Sequence, residues 1–141
     1  FVSPNELQPL LDALQQQAGA QTVLLLERSG QRLGSSGDVL RMDLTTVGAA
    51  ATGIRAGAAA LARCLGERGA QELSGQCGTQ SFFLMEIDAN ALLLVVFDER
   101  SNLGLVGHKA RRIGPELART LKPTAGGAAA LSPDDYENLW G

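Results

Sequence analysis

Histidine and cysteine are scarce in this 141-residue chain: one histidine, His108, and two cysteines, Cys64 and Cys77. No cluster of His, Cys and carboxylates has metal-ligand spacing. His108 stands among basic residues without a GxSxG motif beside it, and no GxxxxGKS or GxxxxGKT loop is present to cradle a phosphate. The neighbouring carboxylates Asp98-Glu99 and Asp134-Asp135 suit helix capping better than an acid/base dyad. These absences point to a protein without a catalytic site, cofactor or metal of its own.

Aromatic residues make up only 4% of the chain, too few for a base-stacking surface. Basic residues are not in excess either: 12 Lys and Arg stand against 15 Asp and Glu, a net charge of −3, which argues against a nucleic-acid binder. No uncharged apolar run reaches the roughly 18 residues of a membrane span. Phe1-Val2-Ser3-Pro4 lacks the basic and apolar regions of a signal peptide, and the missing initiator Met points to a trimmed chain. Cys64 and Cys77 lie in apolar contexts without disulfide-framework spacing and read as buried, reduced thiols. A cytoplasmic location is expected.

What is present is a chain 45% hydrophobic, enough for one packed domain. Leu7, Leu10, Leu11 and Leu14 form the i, i+3, i+4, i+7 stripe of an amphipathic helix over 4–18, ended by Gly19. Residues 22–27 (TVLLLE) read as a strand, 28–31 as a tight turn and 32–36 as a weaker returning strand. Asp43 is a candidate N-cap for a long helix ending near Leu65-Gly66. A polar strand over 69–77 is expected next. Stronger strands follow at 80–87 (QSFFLMEI) and 91–97 (ALLLVVF), with Asp88-Ala89-Asn90 turning between them. Ser101 or Asn102 then caps a helix running toward Leu121. The order αββαβββα specifies an α+β fold, an antiparallel sheet with helices packed on it.

In the central helix Leu44, Val47, Ala51, Ile54, Ala58, Leu61 and Leu65 keep 3–4 spacing, which predicts a seam packed on the sheet. A second stripe, Thr46, Ala50, Gly53, Gly57, Ala60 and Cys64, is made of small residues. Thr45, Gly48, Thr52, Ala56 and Ala59 are small as well, and Arg55, Arg63 and the terminal Glu67 are nearly the only charges. An exposed helix face is normally charged, and each interior glycine costs roughly 1 kcal/mol against alanine. A protein partner covering this face is therefore expected.

In the segment 97–106 (FDERSNLGLV), Asp98 or Ser101 is expected to satisfy free helix N–H groups. His108-Lys109-Ala110-Arg111-Arg112 reads as a solvated basic cluster, with an acidic partner as the other possibility. Gly114-Pro115 is expected to kink or interrupt the last helix. Residues 123–130 read as a flexible linker. Residues 131–141 read as a short acidic helix, with Ser132 as N-cap, Pro133 in the first turn, and Tyr136, Leu139 and Trp140 exposed for docking.

The element order, the small-residue central helix and the FDERSNLGLV segment resemble the Roadblock (dynein light-chain) superfamily, and within it the bacterial MglB-type regulators of the Ras-like GTPase MglA. Residues 23–30 (VLLLERSG) resemble the family's first strand and turn, and 62–67 (ARCLGE) its usual helix ending. The likeness places a Roadblock domain in residues 1–122. Gly114-Pro115 and Gly107-His108 depart from the family's pattern.

The resemblance implies a five-stranded antiparallel sheet with the long central helix on one face and the terminal helices on the other. It also implies a homodimer that binds a small Ras-like GTPase of MglA type and stimulates GTP hydrolysis by reshaping the GTPase's own switch regions. The implied GTPase-facing residues are Thr52, Arg55, Ala56, Ala59, Ala60 and Arg63, the two arginines as contacts rather than as inserted fingers. Tyr136, Leu139 and Trp140 would add a second contact. The cell location is then cytoplasmic, and at the poles if a polarity GTPase is the partner. A Roadblock homodimer that scaffolds other proteins without changing nucleotide turnover is the alternative.

Overall fold

The computed structural model describes residues 4–69 and 71–121. The elements are α1 (Pro4–Ala18), β1 (Thr22–Glu27), β2 (Arg32–Gly37), α2 (Leu44–Cys64), β3 (Glu72–Cys77), β4 (Gln80–Asp88), β5 (Ala91–Asp98) and α3 (Leu103–Leu121). The strands form one antiparallel sheet in the order β2-β1-β5-β4-β3. The expected αββαβββα order therefore holds, with β3 starting at Glu72 rather than at residue 69.

β1 and β5 are buried on both faces along most of their length, which is why they read as unbroken apolar runs rather than alternating ones. On one face Val23, Leu25, Leu93 and Val95 meet Leu7, Leu11 and Leu14 of α1 and Val106, Ala110 and Leu117 of α3. On the other, Leu24, Leu26, Leu84, Leu92 and Leu94 meet Ala51 of α2. One long helix thus covers one face and two terminal helices the other.

Local chemistry sets the element ends. Gly19, at φ 65°, closes α1 in the left-handed region that glycine enters without a Cβ clash. The Asp43 carboxylate caps α2 by accepting from the Thr46 N–H at 3.3 Å and the Thr46 hydroxyl at 2.8 Å. Those bonds hold the Asp43 carboxyl below its usual pKa, the hydroxyl contributing most. Asp88 Oδ1 accepts from the Asn90 N–H at 2.8 Å, fixing the β4–β5 turn.

Three expectations are corrected. α3 is continuous through Gly114-Pro115. α1 likewise continues through Pro9, which follows Gln8. Gly114 is buried against Met85 while Pro115 faces solvent, so water can serve the carbonyl that the proline leaves unbonded. The second correction concerns Asp98 and Ser101, neither of which caps α3. Asn102 Oδ1 does so, accepting from the Leu105 N–H at 2.9 Å. Asp98 instead binds Arg100, whose guanidinium and N–H lower its pKa, and the Ser101 hydroxyl donates to the Ala18 carbonyl, tying the corner to α1. Third, Cys64 and Cys77 are exposed free thiols, because one ends the outer side of α2 and the other ends the edge strand β3.

Candidate partner-binding surface

α2 touches its sheet through a narrower and differently placed stripe than apolarity alone indicates. Gly48, Ala51 and Ala62 are buried, and Leu44, Val47, Thr52, Arg55, Ala58 and Ala59 are half-buried. Ile54, Leu61 and Leu65, expected in the packed seam, are 40%, 61% and 69% exposed. In the second half of the helix Arg55 and Ala62 turn inward in place of Ile54 and Leu61, while Ala58 stays at the base as expected, a turn of less than one residue's roughly 100°.

Two contacts hold the helix in that orientation. At its N-terminal end Gly48 lies against the Gly30 carbonyl of the β1–β2 turn, so closely that a side chain at 48 would collide with that backbone. The Thr52 hydroxyl sits 2.9 Å from the Gly48 carbonyl oxygen and 3.4 Å from that of Arg28. Farther along, Arg55 Nε and a terminal nitrogen reach Glu86 Oε2 of β4 at 2.7 and 2.6 Å. Glu86 had no role in the sequence reading. Its signal was a lone carboxylate alternating with Phe82 and Leu84, hence on the face toward α2, where a buried-side charge needs a partner.

At 100° per residue the helix presents two solvent-facing flanks. One carries Ala50, Ile54, Gly57 and Leu61, all exposed. The other carries the six residues implied by the resemblance: Ala56, Ala60 and Arg63 are open to solvent, whereas Thr52, Arg55 and Ala59 are half-buried at its base. A Cβ placed on Gly53 or Gly57 would meet nothing within 4 Å. Packing among the described residues therefore does not require either glycine.

Beside α2 the sheet ends at β3, whose outer edge pairs with no strand among the described residues. Glu72 is the only charge in this strand, and the strand has no bulge or proline to blunt it. On the α2 side of this edge Leu73 and Phe82 are half-buried, the Phe82 ring lying across Gly75 of β3. Leu73 and Phe82 belong to the same apolar cluster as Leu44, Val47 and Ala51 of α2.

The basic cluster of α3 is only partly solvated. Arg111 forms a bidentate pair with Glu72 at 2.8 and 2.9 Å and lies 6.0 Å from the Phe83 ring centroid. The Arg111 hydrogen bonds lower the Glu72 pKa against a smaller opposing effect of burial. Among the described residues no three His, Cys, Asp or Glu residues gather as a metal site, and no helix is long and apolar enough to cross a membrane. Tyr136, Leu139 and Trp140, with the expected linker and acidic helix, lie outside the described residues.

The sequence profile described as Roadblock/LC7 domain matches residues 6–97. The chain belongs to the Roadblock/LC7 family. Solved Roadblock/LC7 relatives include the gliding protein MglB of Thermus thermophilus, with a TM-score of 0.78 and 30% identity over 85% of this chain and 92% of that one. Myxococcus xanthus MglB gives 0.76 and 26% identity, over 80% and 92%. An MglB with a tetrameric arrangement gives 0.79 and 29%, over 85% and 91%. No curated protein sequence matches. The fold is therefore that of a Roadblock/LC7 domain similar to MglB, and self-association is a property of at least one such relative.

Proposed function

We propose that this chain is a homodimeric regulator of a small Ras-like GTPase of MglA type, without a catalytic site of its own. The observation that carries the reading is the outer surface of α2: uncharged over both flanks except at Arg63, and set on a domain similar to MglB. A second copy fits the flank of Ile54 and Leu61 together with the β3 edge, where strand pairing and apolar contact are available side by side. The GTPase fits the opposite flank, on Ala56, Ala60 and Arg63 with Thr52, Arg55 and Ala59 at its base. Tyr136, Leu139 and Trp140 supply a second contact to it. The Arg55 guanidinium is bound to Glu86 and the chain inserts no arginine finger; it accelerates GTP hydrolysis by reordering the GTPase's own switch residues. Such a role belongs in the bacterial cytoplasm, in cell polarity and motility; the naming of the Thermus relative as a gliding protein supports it.

The test is single-turnover GTP hydrolysis by the MglA-type GTPase of the same cell, with and without the dimer. Acceleration is expected, together with its loss in Ala60→Arg. Saturable binding with unchanged hydrolysis would assign the protein as an adaptor instead.

A further inference from the structure

We infer that Glu86 is the positioning residue of the GTPase-facing flank: it holds Arg55 down against β4 and so keeps the surface over Ala56 and Ala60 clear of a long cationic side chain. This inference rests on the reading of that flank given above. The Arg55 side chain is 17% exposed and that of Glu86 30%, with both guanidinium contacts made to one carboxylate oxygen. Glu86 is tied through its backbone to the segment before β3. Its backbone N–H donates to the Gln71 carbonyl at 3.0 Å, and it stands where the β4–β5 register shifts, between Glu86 and Asp88.

The consequence follows from the cost of leaving a charge half-buried. A guanidinium deprived of its counter-charge in this position loses hydration that nothing replaces, so its flexible stem must carry it to water. Inward, the way is closed by the buried Ala51 and Ala62 and by the sheet. Outward, the flank of Ala59 and Ala56 offers it only methyl side chains to pass, whereas the opposite side carries Ile54. Released, it occupies the flat alanine surface that a partner's backbone would approach. The ion pair therefore does more than pin a helix. It keeps a contact surface small and neutral although an arginine is rooted at its base.

The experiment is a double-variant cycle on the full chain, read as affinity for the MglA-type GTPase bound to a non-hydrolysable GTP analogue. Glu86→Ala is expected to weaken binding about tenfold or more, and Arg55→Ala added to it should recover most of the loss. A purely structural role for the pair predicts the reverse, with the double variant binding no better than E86A. That result would overturn the proposal. Ala60→Arg separates the two levels: if A60R binds normally the flank itself is misassigned, whereas loss in A60R with normal binding by E86A rejects only the role of Glu86. Sedimentation and thermal unfolding check that E86A is a folded dimer. Should it unfold, Glu86→Gln is read by the same rescue with R55A.

Discussion

Gly48 and Gly30 meet backbone to backbone, and Gly30 sits at φ 99°, so the start of α2 is seated on the β1–β2 turn through atoms that no side chain could separate. Farther out, Glu72 and Arg111 show how far a surface pair contributes. Because the Glu72 pKa is lowered in the folded state, its contribution is fully present above the ordinary carboxylate pKa of about 4.3 and disappears as pH falls through the folded value. Glu72→Gln should therefore be less stable than the parent to urea at pH 7, by a modest margin since the pair is largely solvent-screened, and the two curves should converge once the pH has fallen below the lowered folded-state pKa of Glu72. A gap that persists at low pH would mean that Glu72 acts through something other than this charge. Little of this residue-level detail was legible beforehand. Asp43 announced itself as a cap because its spacing to Thr46 is local. The Glu86–Arg55 pair joins positions 31 apart, and only the strand alternation hinted at it.

Among the elements, β1 and β5 were readable because burial on both faces writes itself into the sequence as a continuous apolar run. α1 was readable because its apolar stripe meets one surface only. α2 was readable as a helix but not in its rotation. Ile54 and Leu61 are exposed among the described residues, yet ranking by hydrophobicity turned them inward. α3 taught the opposite lesson about proline: it runs on through Pro115, as α1 does through Pro9. The two open glycines of α2 carry a prediction at this scale. Gly53→Ala and Gly57→Ala should each stabilise the separated protomer by about 0.5–1 kcal/mol, measured by urea unfolding below the dissociation concentration. Both should also weaken self-association by keeping the second backbone away. A gain in stability with unchanged association would show that nothing approaches closely there.

For the whole molecule the deciding question is what lies against the flank of Ile54 and Leu61. Leu61 is 61% exposed and contributes little to the protomer's own core, so Leu61→Lys should leave the fold intact by circular dichroism and shift sedimentation to a monomer. A dimer that survives L61K would place the self-contact elsewhere. β3 adds a constraint of its own. Its six residues offer an open row of amide and carbonyl groups on a strand with one charge, at its first position, and such a row bonds to any extended chain that reaches it. If, as proposed, a second copy seals that row, each newly made molecule is until then a template for clumping. Variants that block assembly should therefore fall out of solution during overproduction long before they lose their shape.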